Sequence, residues 1–129
     1  MSRRDWIAEQ AEIICDLYDE ADDLLEDYGP DKSDRFEQLL DQIESKCQRL
    51  IEDFEEQSTD PEKQTILRVT KGRVYSSLKA LRNIKELCEG KPVATSFSSH
   101  SENSYSSRAV VVQMKTLFSG CFITEKDRG

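Results

Sequence analysis

Apolar residues recur through the first 90 positions at the three-and-four spacing of helices rather than the alternation of strands. In residues 3–28, Ile7, Ile14, Ala21 and Tyr28 form one line. Ala11, Leu17, Tyr18, Leu24 and Leu25 widen it, and Trp6 and Ile13 flank it. That stripe is broader than a two-position coiled-coil seam and suits burial against two neighbours. From Asp34 to about Gln57, Phe36, Ile43 and Leu50 repeat by seven, with Leu40, Cys47 and Phe54 between them and Leu39 and Ile51 beside them. From Pro61 to Glu89, Leu67, Val74, Leu81 and Cys88 repeat by seven, and Thr70, Leu78 and Ile84 fill the same face.

The punctuation agrees with three helices. Ser2 is a candidate cap for the first, and Gly29-Pro30-Asp31 ends it. Asp34 with Glu37 resembles a capping box at the start of the second. The third begins with Asp60 as cap and Pro61 in its first turn, or with Thr59 as cap and Glu62 as its reciprocal partner. Gly90 and Pro92 stop it. Gly72 lies within this third helix, as a tolerated glycine, a close crossing point or a kink. Both connections are short, so successive helices are expected to run antiparallel. The predicted class is all-α: an antiparallel three-helix bundle, or a long helical hairpin, with a flexible C-terminal tail.

Composition changes after Pro92. Residues 1–92 read as a helical bundle or coiled-coil domain, and 93–108 as a Ser-rich linker that can accept phosphates. Residues 109–129 read as a strand-prone tail. Ala109 to Met114, Lys115 to Phe118 and Cys121 to Thr124 have strand-like composition, with a turn at Ser119-Gly120. The tail either docks on the bundle or binds a partner. Its candidate binding residues are Val110, Val111, Val112, Met114, Leu117, Phe118 and Phe122.

Charge sharpens the picture. The 129 residues carry a formal net charge of -8, which argues against a generic binder of nucleic acid or anionic membrane. Residues 60–91 differ, with eight Lys or Arg against four Asp or Glu. Arg68, Lys71, Arg73, Lys79, Arg82 and Lys85 form a candidate basic docking face. Either the acids of the first two helices answer them, or they face outward and hold an acidic partner.

Little else suggests chemistry. The four cysteines, at 15, 47, 88 and 121, form no Cys-x-x-Cys unit. Cys47 and Cys88 read as small core residues, Cys15 lies beside the first stripe, and Cys121 reads as free to react. His100 has no ligand-spaced partners. Asp16 with Glu20 and Asp23 with Asp27 are carboxylates four apart, but without a positioned base they read as a solvated acidic face. No cofactor, metal site or catalytic residue is expected. Arg3-Arg4-Asp5 does not open a secretory leader, and no apolar run is long enough to cross a membrane. An intracellular setting, cytoplasmic or nuclear, is expected.

Met114-Lys115-Thr116-Leu117-Phe118-Ser119-Gly120, following a charged helical region and a polar linker, resembles the N-terminal region of Gag polyproteins from Pao/BEL-type retroelements, without that family's proline. The resemblance implies a structural, self-assembling protein. From the residues themselves, the leading expectation is a non-enzymatic helical module for protein–protein interaction or self-association, an adaptor or structural protein. Its candidate packing or self-association residues are Ile7, Ile14, Leu17, Leu24, Phe36, Leu40, Ile43, Leu50, Phe54, Leu67, Val74, Leu78 and Leu81. The alternative is a monomeric helical domain that binds an acidic partner, or nucleic acid, through the basic face of residues 60–90. Acidic neighbours and few aromatic platforms disfavour nucleic acid.

Overall fold

A computed structural model describes residues 3–57, 60–90 and 107–122. The candidate caps Ser2 and Thr59, His100 and most of the Ser-rich linker lie outside them. Four helices occur among the described residues: α1 (Arg3–Glu26), α2 (Ser33–Gln57), α3 (Pro61–Cys88) and α4 (Ser107–Cys121), with a 3-10 turn at Pro30–Lys32. No strand occurs among them. The all-α helical bundle is therefore as expected, but a fourth helix joins the three.

The helices close into a ring. α1 packs against α2 and α4, α3 packs against α2 and α4, and α1 and α3 touch lightly across the diagonal. Contacts at the ends fix the directions. Tyr28, beyond the C-terminal end of α1, donates a 2.5 Å hydrogen bond to Glu89, beyond the C-terminal end of α3, so these helices run parallel. At the opposite end the rings of Phe54 on α2 and Phe122 after α4 meet edge to face, with centroids 5.4 Å apart. The result is an up-down-up-down bundle.

Local chemistry sets the helix ends. The Asp60 side chain accepts from the Glu62 amide at 3.0 Å, and Pro61 needs no amide proton in the first turn. Gly90 closes α3 with a φ of 78°, a left-handed conformation that favours glycine. At the end of α1, Lys32 donates to the Asp27 carbonyl and lies 3.4 Å from its carboxylate. That ammonium sits where the dipole of an acid-rich helix needs a cation. The 3-10 turn starts α2 at Ser33, so Asp34 lies inside the helix instead of capping it.

α3 runs unbroken through Gly72. A Cβ placed there would meet nothing within 4 Å, so none of the described helices crosses closely at that point. The core takes the expected stripes. Ile7, Ile14, Leu17, Phe36, Leu40, Ile43, Leu50, Phe54, Leu67, Val74, Leu78 and Leu81 are buried, and Leu24 is half-buried against them. Cys47 is buried as expected, whereas Cys88, in the last turn of α3, is exposed and not part of the core.

The largest correction concerns the tail. Residues 107–121 are helical, not strand-like. Val111, Met114, Phe118 and Phe122 recur at steps of three, four and four, and all four are buried. β-branched Val110, Val111 and Val112 lower helix propensity only slightly, and burial on the bundle outweighs that preference. Of the tail's candidate binding residues, Val110 and Leu117 are half-buried and Val112 alone is exposed. This segment binds its own bundle.

Candidate protein-docking surface

The six basic residues singled out on α3 divide into two groups. Arg82 and Lys85 belong to the architecture. Arg82 Nε lies 3.4 Å from Glu37 Oε2, and Lys85 Nζ lies 3.2 Å from Glu37 Oε1. Asp41 and Glu89 lie farther off, at 3.7 Å from Arg82 and 3.9 Å from Lys85. Burial alone would lower the Lys85 pKa, but its hydrogen bond to Glu37 and the charges around it hold it above the usual lysine value. Glu37 thus joins α2 to α3 rather than closing a capping box.

Arg68, Lys71, Arg73 and Lys79 are exposed and make no ion pair among the described residues. Tyr75, 70% exposed, and Val69, 45% exposed, lie between them in sequence. Two grooves flank this crest. The one between α2 and α3, about 640 Å³, mixes Lys71, Lys79 and Arg82 with Glu44, Glu52 and Glu86. The one between α3 and α4, about 770 Å³, has Arg68, Arg73 and Lys79 in its lining and, among the described residues, no acidic side chain.

A second charged cluster holds α4 in place, and the sequence pattern gave it no special mark. Lys115 Nζ lies 2.8 Å from Asp19 Oδ2, Arg108 Nη1 lies 3.0 Å from Asp19 Oδ1, and Ser107 donates to Asp22. Arg108 also reaches Asp22 at 3.4 Å. Asp22 is 1% exposed, so these partners matter more than ordinary surface pairs. Burial alone would raise the Asp19 pKa, but the hydrogen bonds from Lys115 and Arg108 hold it below the usual carboxylate range. The available signal was the seven-residue separation of Arg108 and Lys115, which only a helical tail turns into one face.

The acidic pairs on α1 do not converge on a ligand site. Glu20 pairs with Arg35 of α2 at 2.9 Å, Asp27 lies beside Lys32, and Asp16 and Asp23 are exposed. Among the described residues no group of three or more His, Cys, Asp or Glu is placed to hold a metal ion, and no helix is long and apolar enough to cross a membrane. Nor does any buried side-chain nitrogen or oxygen there lack a hydrogen-bond partner. Compared with known proteins, the chain matches no family model, no curated protein and no solved structure.

Proposed function

We propose that this chain is a non-enzymatic helical interaction module that captures an acidic protein partner on the outward face of α3. The observation that carries this reading is the division of α3's cations: Glu37 answers Arg82 and Lys85, while Arg68, Lys71, Arg73 and Lys79 stand in solvent beside exposed Tyr75. Such a surface steers association and selects a partner of opposite charge.

Self-association is the less favoured form of the interaction role. The stripes that motivated it are filled within one chain, because α4 covers the remaining apolar faces of α1 and α3. Nucleic acid is also less favoured, since the acidic surfaces of α1 and α2 repel phosphates. The four cysteines are unpaired, which supports a reducing intracellular setting.

The test is differential capture from the native source with the full chain and with Arg68→Glu/Arg73→Glu/Lys79→Glu. An acidic protein retained by the first and lost by the second, with melting temperatures unchanged, is the expected result. Capture indifferent to the triple reversal, or equal retention of nucleic acid, would overturn it.

A further inference from the structure

We infer that the groove between α3 and α4 seats one acidic amphipathic helix of a partner protein, crossing α3 at Gly72. The inference rests on the acidic-partner reading and names the seat and the shape of what occupies it.

Charge selects this groove over its neighbour. The α2–α3 groove contains its own carboxylates and would repel an acidic segment as much as attract it. Among the described residues, the charged side chains of the α3–α4 groove are the cations Arg68, Arg73 and Lys79, around a less polar lining that includes Val69, Val110 and Met114. An occupant needs acidic residues along its edges and apolar ones beneath.

The floor selects a helix. Gly72, Ser76 and Ala80 are four residues apart on α3 and all border the groove. Side chains this small let another backbone approach closely. From Arg68 to Ala80 the groove follows α3 for roughly 18 Å at about 1.5 Å per residue, enough for about three turns of a partner helix. It lies between two helices and, among the described residues, presents no sheet edge on which a strand could pair, so strand addition is ruled out there and its length and small-residue border suit helix-in-groove docking.

Gly72 supplies an independent reason. A glycine inside a helix destabilises it, and nothing in this fold requires one here. The residue has no positive φ, it is exposed, and a Cβ would meet nothing within 4 Å. Among the described residues nothing fills the space that the missing side chain leaves, which is room for an incoming helix.

A second copy is a poor occupant. The exposed large apolar residues among those described are Val69, Tyr75, Leu87 and Val112, all on α3 or α4. The outward positions of α1 include Glu9, Glu12, Asp16 and Asp23, which supply acid but no apolar ridge to enter the groove.

The experiment pans the full chain against two displayed libraries of roughly 18-residue helical peptides, about five turns long. Both randomise an apolar seam of Ala, Leu and Met; one has Glu/Asp edges and the other Lys edges. The expected result is enrichment from the acidic library alone. Its peptides should bind about tenfold or more weakly to Arg68→Glu/Arg73→Glu, to Gly72→Leu and to Ser76→Leu. Gly72→Leu and Ser76→Leu should melt no lower than the parent, which separates a blocked groove from a damaged fold. Binding lost on charge reversal but unaffected by substitution at Gly72 and Ser76 would overturn the groove while leaving the acidic-partner reading intact. Binding indifferent to charge reversal, equal enrichment of Lys-edged peptides, or enrichment from neither library would overturn both.

Discussion

The phenol of Tyr18 on α1 meets the hydroxyl of Ser77 on α3 at 2.7 Å, buried between the two diagonal helices of the bundle. Ser77 also donates to the Val74 carbonyl at 2.8 Å, which uses its only proton. Tyr18 is therefore the donor and Ser77 the acceptor. Burial pushes the Tyr18 phenol well above its usual pKa, so it keeps that proton throughout the physiological range.

This order of donation makes the two deletions unequal. In Tyr18→Phe, Ser77 retains its bond to Val74, and the loss should be about 1 kcal/mol, one net hydrogen bond. In Ser77→Ala, the phenol stays buried without an acceptor, and the cost should reach about 1–3 kcal/mol. Urea unfolding of both variants checks the ranking; a smaller loss for Ser77→Ala would reverse the assignment.

α4 should be indispensable to the fold. Burying the large side chains Val111, Met114, Phe118 and Phe122 contributes about 1.5–3 kcal/mol each, and a domain of this kind has a net stability of only about 5–15 kcal/mol. Phe118→Ala should cost about 3–5 kcal/mol. A chain ending at residue 106 should lose cooperative unfolding and associate through the uncovered faces of α1 and α3. Thermal melting and sedimentation velocity, each compared with the full chain, check both outcomes.

The grip of α4 on α1 should weaken in acid. The fold holds Asp19 below its usual value of 3.8, with Lys115 and Arg108 facing it. A carboxyl shifted downward contributes stability that is complete above its unfolded pKa and is lost as pH falls through the lower folded value. Asp19→Asn should melt below the parent at pH 7, and the gap should close progressively below about pH 3.8. A gap that stays constant down to pH 2 would show that these pairs contribute nothing through the charge of Asp19.

Thiol reactivity should report the packing. Burial pushes Cys15 up to about 11 and Cys47 up to about 12, so at pH 8 the thiolate of Cys15 is on the order of one in a thousand. Cys88 is exposed, and Cys121 is partly covered. Alkylation followed by mass spectrometry should find Cys88 labelled first and Cys121 second. Cys15 and Cys47 should label only at the rate of unfolding. Early labelling of Cys121 in Phe118→Ala would mark the opening of α4.

The sequence by itself determined α1, α2 and α3, because each carries a helical apolar stripe over many turns and has turn or capping residues near its ends. Asp60, Pro61 and Gly90 act where their local chemistry places them. Only the tertiary structure decided the state of the tail. The preference of Val110-Val111-Val112 for a strand is worth tenths of a kcal/mol per residue, whereas burial of Val111, Met114, Phe118 and Phe122 is worth several. That larger gain exists only once α1 and α3 form a groove to receive them. The same holds for the basic face of α3. Arg68 and Arg82 are alike in sequence, and local pattern cannot distinguish a docking cation from a structural one. The position of Glu37 on the neighbouring helix separates them, because a charge is answered by whatever lies within a few ångströms, however distant in the chain.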